Sequence, residues 1–194
     1  AISLIGIIGL LDDLTGEEDI KGFKGHIKSF FKGILTTGGM KAGVGFLIAL
    51  FISIIISDNY VDIIVNTLLI ALFTNLTNLF DLRPGRALKV FILLSLIMLF
   101  SSGIKEYNFI LYSFYGILLV YLPVDLKARA MMGDIGSNVL GITLGIYCSL
   151  THNIISKLIY LFLLIFIHII GEKVSFSSII EKNKFLSFID NLGR

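Results

Sequence analysis

The sequence predicts an all-α, polytopic membrane helical bundle with six full transmembrane helices and, before them, the end of another. Three observations carry this. The chain's 194 residues are 56% hydrophobic and only 15% charged, whereas a soluble domain carries charge on about a quarter of its residues. Mean hydropathy is +0.92. The apolar residues also fall into long uncharged runs, at 63–80, 107–124 and 135–156, close to the ~20 apolar residues a helix needs to cross a bilayer.

Taken in order, residues 1–11 are apolar but too short to span alone. They start without Met or a polar flank and read as the end of a helix whose beginning lies upstream. They lack the basic start and small-residue cleavage site of a signal peptide. The full spans are 42–57, 63–80, 90–104, 107–124, 135–156 and 158–171. The shorter ones reach across if Lys41, Lys89, Lys105 and Lys157 snorkel to the interface. Thr36-Thr37-Gly38-Gly39 reads as a loop before the first full span. One membrane domain accounts for residues 1–194, with 172–194 as a cytoplasmic tail. The single cysteine, Cys148, excludes an internal disulfide and a cysteine metal cluster.

Loop charge sets the orientation. Of the 16 basic residues, all but Lys105 and Lys157 lie in alternate polar segments: 12–41, 81–89, 125–134 and the tail. The positive-inside rule makes these segments cytoplasmic. That rule is largely blind to acids, yet all acids except Asp58, Asp62 and Glu106 fall on the same side. A face mixing carboxylates with Lys and Arg suits a divalent cation and a phosphorylated ligand.

Three acidic patches stand out on that face. Asp12-Asp13 closes the first helix, where carboxylates are poorly placed because a helix C-terminus is already negative; a solvated helix end is the plain alternative. Asn75, Asn78 and Asp81 step by three and line one helix face; inter-helix hydrogen bonding would also explain the asparagines. Arg83 and Arg86 flank the break at Pro84-Gly85 and read as an anion site. Met132-Gly133-Asp134-Ile135-Gly136-Ser137 opens a helix, with Asp134 either an N-cap or a metal ligand beside an anion-attracting helix N-terminus. Residues 21–28, basic and interleaved with apolar residues, fit a membrane-surface segment. His168 reads as a packed helix residue.

Jointly, a helix end with Asp-Asp, an Asn-x-x-Asn-x-x-Asp segment and Met-Gly-Asp-x-Gly-Ser, in this order, resemble the polyprenyl-phosphate N-acetylhexosamine-1-phosphate transferases. This is the phospho-N-acetylmuramoyl-pentapeptide transferase-like glycosyl transferase family 4, and the resemblance covers nearly the whole chain. It implies a Mg²⁺-dependent enzyme of the bacterial plasma membrane with its active site facing the cytoplasm. Such an enzyme passes a sugar 1-phosphate from a UDP-sugar to polyprenyl phosphate, releasing UMP, in peptidoglycan or related cell-wall biogenesis. By resemblance, Asp134 and Asn78 are metal ligands. Asp12 and Asp13 orient or deprotonate the lipid phosphate. Asp81 lies near the nucleotide, and with it Asn75, the anion-site residues Arg83 and Arg86 and, in place of the family's histidines, Lys173 are the expected substrate-binding residues. Membrane lipid is the surrounding partner, no nucleic acid is expected, and a homodimer is left open. Two departures stand beside this: Pro84 occupies the position where many bacterial members carry a further acid, and the tail holds none of their clustered histidines. Both leave an inactive paralogue that binds polyprenyl phosphate as the alternative. A transporter fits less well, because the polar residues gather at one face rather than at the midplane.

Overall fold

The computed structural model describes residues 2–15 and 37–194, and all the regular structure among them is helical. The helices are α1 Ile2–Thr15, α2 Thr37–Ile56, α3 Tyr60–Phe80, α4 Arg86–Ser101, α5 Asn108–Leu126, α6 Gly133–Thr151, α7 Ile154–Lys173, α8 Phe176–Lys182 and α9 Lys184–Asn191. The basic segment 21–28 lies outside the described residues.

Among the described residues, four helices are long and apolar enough to cross a membrane by themselves, where the sequence predicts six full spans: α2, over Gly39–Ile56, and α3, α5 and α7. Helix α4 has 16 residues, about 24 Å at 1.5 Å per residue. Helix α6 has the length but not the hydropathy, because Gly, Ser, Thr and Asn interrupt it. Its position supplies the reason. Helix α6 lies at the centre of the bundle, packed on α1 and α3, and most of its side chains are buried. A helix surrounded by protein meets little lipid and can afford small polar residues.

Those small residues bring the backbones together. A Cβ on Gly141 would lie 2.3 Å from Thr77 Oγ1 and 2.4 Å from the Phe73 carbonyl; one on Gly145 would lie 2.5 Å from Ile70 Cα. With Ser137, they form a stripe at four-residue spacing against which α3 seats. Gly9 does the same for α1, since its Cβ would come within 2.6 Å of the Asp134 carbonyl oxygen. Leu69, Phe73, Phe91, Leu144 and Tyr147 build the main apolar core, and a smaller one around Ile5, Ile48, Ile52, Ile70 and Ile142 docks α1 and α2. Phe51, Phe100, Leu119, Val120 and Phe162 point outward, as lipid-facing residues do.

Two expected boundaries move. The run 135–156 breaks at His152-Asn153, where the Asn153 side chain caps α7 by accepting the Ser156 N–H at 2.9 Å. Lys157 therefore lies one turn inside α7. It is buried instead of snorkelling, and pairs with Asp62 at 3.6 Å; a buried charge requires such a partner. Thr37, Gly38 and Gly39 form the first turn of α2 rather than a loop. His168 is packed as expected, with Nδ1 2.8 Å from the Leu164 carbonyl oxygen.

Candidate functional site

The close backbone contacts decide where the polar residues meet. Because Gly9 lets α1 lie against the start of α6, Asp13 reaches the first turn of α6. Its Oδ1 accepts the Asp134 N–H at 3.2 Å. Gly133, at φ +59°, turns the chain into α6 beside that carboxylate; a Cβ there would crowd Asp13 Oδ2 at 2.9 Å. Asp134 thus sits inside the first turn, and the cap position belongs to Met132, whose side chain makes no capping bond.

The α3–α6 contact supplies the next residue. Thr77 Oγ1 donates to the Ser137 carbonyl at 2.7 Å and fixes the register. Asn78, one residue on, then faces Asp134 and Ser137. Its neighbours assign the amide orientation: the nitrogen donates to Asp134 Oδ1 and to Ser137 Oγ at 3.1 Å, and the oxygen accepts from Lys41 Nζ at 3.2 Å. Lys41, in the second turn of α2, also forms an ion pair with Asp134 Oδ2. Three segments far apart in sequence converge here, at one end of the bundle.

Asp81 follows at the C-cap of α3, its N–H bonded to the Asn78 carbonyl at 3.1 Å. Its carboxyl is pushed up from an ordinary 3.8 to about 7. Burial is the main cause, followed by the negative charges of Asp125, Asp134 and Asp13; the backbone N–H of Gly133 works the other way. Asp125 is 1% exposed at the end of α5. Its Oδ2 accepts the Gly85 N–H at 2.8 Å, which holds the turn between α3 and α4 from below.

Other expected residues are placed elsewhere. Arg86 does not face the carboxylate cluster. It is buried against the tail, where Nε and Nη2 bind the Asp190 carboxylate at 2.8 and 2.9 Å and Nη1 donates to Ser177 Oγ at 2.9 Å. The physical reason is burial: a guanidinium with 3% exposure needs a bidentate anion, and Asp190 supplies it. Arg83 pairs with Glu181. Arg194, among the tail cations, donates to the Pro84 carbonyl at 2.8 Å and to Asp190 at 3.3 Å. Asn75 is exposed on α3, and Lys173 is exposed in the last turn of α7. The backbone of Asp12 lies in α1; its side chain is outside the described residues.

Two residues at this end were missed in sequence. By sequence Lys41 reads as a flanking charge. A lysine near a helix N-terminus, where the dipole disfavours it, was the available signal. Asp125 sat in a loop-like polar stretch and gave no signal of its own.

Among the described residues no three of His, Cys, Asp or Glu form a ready-made metal cage. Magnesium needs less, often one or two carboxylates with waters and substrate phosphates completing the octahedron. The donors here are hard oxygens, and Asp134 Oδ2 and the Asn78 amide oxygen already converge on one positive charge, the ammonium of Lys41. The donor set therefore fits a hard divalent cation.

The profile of glycosyl transferase family 4 matches residues 1–152, from α1 through the whole of α6. No curated protein and no solved structure matches the chain significantly.

Proposed function

The chain belongs to glycosyl transferase family 4, and we propose that it moves a sugar 1-phosphate from a UDP-N-acetylhexosamine to polyprenyl phosphate, with release of UMP, at the cytoplasmic face of a bacterial plasma membrane. That it is a membrane-embedded transferase follows from the family and from its four long apolar helices. The donor, the acceptor and the orientation are our reading. One observation supports them most: Asp13, Asn78 and Asp134, from three distant helices, share one hydrogen-bonded cluster at the end of an apolar bundle. A lipid acceptor held in the bilayer would meet a water-soluble donor at such an end.

In this reading an oxygen of the lipid phosphate attacks the sugar-linked phosphorus of the donor. The bond to the nucleotide phosphate breaks, and UMP leaves with that bridging oxygen. Both reactants are anionic, so the largest aid is positive charge at the reacting phosphates. Magnesium, held by Asp134 and the Asn78 oxygen, would supply it and would screen the approach of nucleophile to diphosphate. Lys41 adds a second cation, and its ammonium exchanges its hold on Asp134 for a phosphate oxygen. Asp12 and Asp13, at the end of α1, orient the acceptor phosphate or take its proton. Asp81 lies towards the nucleotide. Arg86 is not available to the substrate, because it is committed to Asp190 of the tail.

The test is exchange of labelled UMP into a UDP-N-acetylhexosamine by membranes carrying the full-length protein with added polyprenyl phosphate. Exchange that requires magnesium and disappears in Asp134→Ala, but persists in Ser113→Ala on the exposed flank of α5, supports the reading. Undiminished exchange in Asp134→Ala overturns it.

A further inference from the structure

The tail carries a feature that the transfer reaction does not use. Phe185 and Phe188 of α9 and Leu192 at its C-cap recur at helical spacing and so share one face, and they are 69%, 65% and 57% exposed. Asp190 projects from the other side and is buried against Arg86. The polar side of α9 is therefore the docked side, and its apolar side is turned away from the bundle. This orientation is fixed rather than incidental. Asn183 caps the helix through the N–H groups of Phe185 and Leu186 at 3.0 and 3.1 Å. The Arg86–Asp190 pair sets its rotation, and the Arg194 bond to Pro84 pins the residues that follow it.

Its depth is also set. Lys89 donates to the carbonyls of Ile189 and Asp190 at 2.9 and 2.7 Å. Lys89 lies three residues into α4, about 4.5 Å along the helix from Arg86 at 1.5 Å per residue. Helix α9 is thus held beside the first turn of α4, not beneath its end. Arg86 and Lys89 make this turn the charged end of α4, and the uncharged run of the helix begins directly after it. Lys182, at the end of α8, and Lys184, at the start of α9, are exposed and match lipid phosphates in charge.

We propose that α9 is an in-plane membrane anchor, with Phe185, Phe188 and Leu192 seated at the headgroup–acyl boundary of the bilayer that carries the protein. Short amphipathic helices with aromatic residues on one face and lysines at hand bind there. The anchor would hold the tail flat against the membrane and keep the Asp190 latch on Arg86. It requires the bilayer and not the transfer chemistry, so it stands or falls apart from the proposed activity.

The chain contains no tryptophan, so one introduced indole reports without background. The full chain carrying Phe188→Trp is placed in vesicles of phosphatidylcholine and phosphatidylglycerol, with and without phosphatidylcholine brominated near the headgroup end of its acyl chains. Asn191→Trp, on another face of α9, is the control, and Phe185→Trp is a second reporter should Phe188→Trp fold poorly. The expected result is blue-shifted emission with marked loss of intensity to bromine for Phe188→Trp and Phe185→Trp, and little loss for Asn191→Trp. Water-like, unquenched emission from both phenylalanine positions overturns the proposal. So does equal quenching at all three positions. Blue-shifted but unquenched emission would mean that a second copy, or another stretch of this chain, covers the face instead of lipid, and overturns it as well.

Discussion

The carboxylate of Asp13 accepts the backbone N–H of Asp134 at 3.2 Å across 121 residues of sequence. This bond joins the end of the first helix to the start of the sixth. It leaves the Asp134 side chain directed at Asn78 and Lys41, so the two acids face different partners: one meets backbone, the other an amide and an ammonium.

Lys41 should be as important to the reaction as the acids. Lys41→Met removes the ammonium that faces Asp134 and Asn78. Loss of one well-placed electrostatic contact to a reacting phosphate costs about 10²–10³-fold in rate. UMP exchange should fall by about that factor, with partial recovery in Lys41→Arg. Exchange at the unmodified rate in Lys41→Met would remove Lys41 from the site.

The helix spacing should be intolerant of added side chains. Gly141→Val places atoms where Thr77 Oγ1 and the Phe73 carbonyl already stand. Overpacking of this kind costs typically ~1–3 kcal/mol, and here it also pushes Asn78 away from Ser137. Thermal unfolding in detergent should show a clear drop in midpoint for Gly141→Val. Gly43→Ala, with nothing within 4 Å of its Cβ, should show almost none.

Asp81 should give the protein a stability that falls as pH rises. Its folded pKa, about 7, lies above the ordinary 3.8. Between those values the folded chain holds a proton that the unfolded chain has released, so folding is favoured at the acid end and loses that advantage as pH climbs through 7. In chelator, Asp81→Asn should therefore be more stable than the unmodified chain at pH 8, and the difference should shrink at pH 5. Added magnesium should narrow the pH 8 difference, because a cation near the cluster relieves the repulsion. A constant difference across this range would contradict the assignment.

The tail latch should respond in the opposite sense. Hydrogen bonds from Arg86 hold the Asp190 carboxyl below its usual range. A depressed folded pKa adds stability that is complete above the unfolded value of about 3.8 and is lost as pH falls through the folded one. Arg86→Met removes the bidentate partner of the buried Asp190 carboxylate and leaves it the longer contact to Arg194. Breaking one side of a buried pair costs roughly 3–5 kcal/mol. Limited proteolysis of the tail at neutral pH should accelerate strongly in Arg86→Met, and the double change Arg86→Met with Asp190→Leu should recover part of the loss.

Hydropathy and loop charge were enough to read an all-helical membrane bundle, and the order of the three acidic motifs was enough to point to the family. Both are properties of composition and of short spacing, which a single strand of residues displays. Helix α6 was legible as a span only by its lack of charge. Its central place depends on Ser137, Gly141 and Gly145 meeting α3, and their neighbours there belong to another part of the chain. The acid motifs marked Asp13, Asn78, Asp81 and Asp134, but not Lys41: its unfavourable place near a helix N-terminus calls for a partner, yet no local pattern says whether that partner is a headgroup or Asp134. Arg86 looked like an anion site because it stood beside Pro84-Gly85. Tertiary structure alone decided that its anion is Asp190, 104 residues away, since a guanidinium turned inward takes the carboxylate that folding brings to it and no local pattern records which one that is.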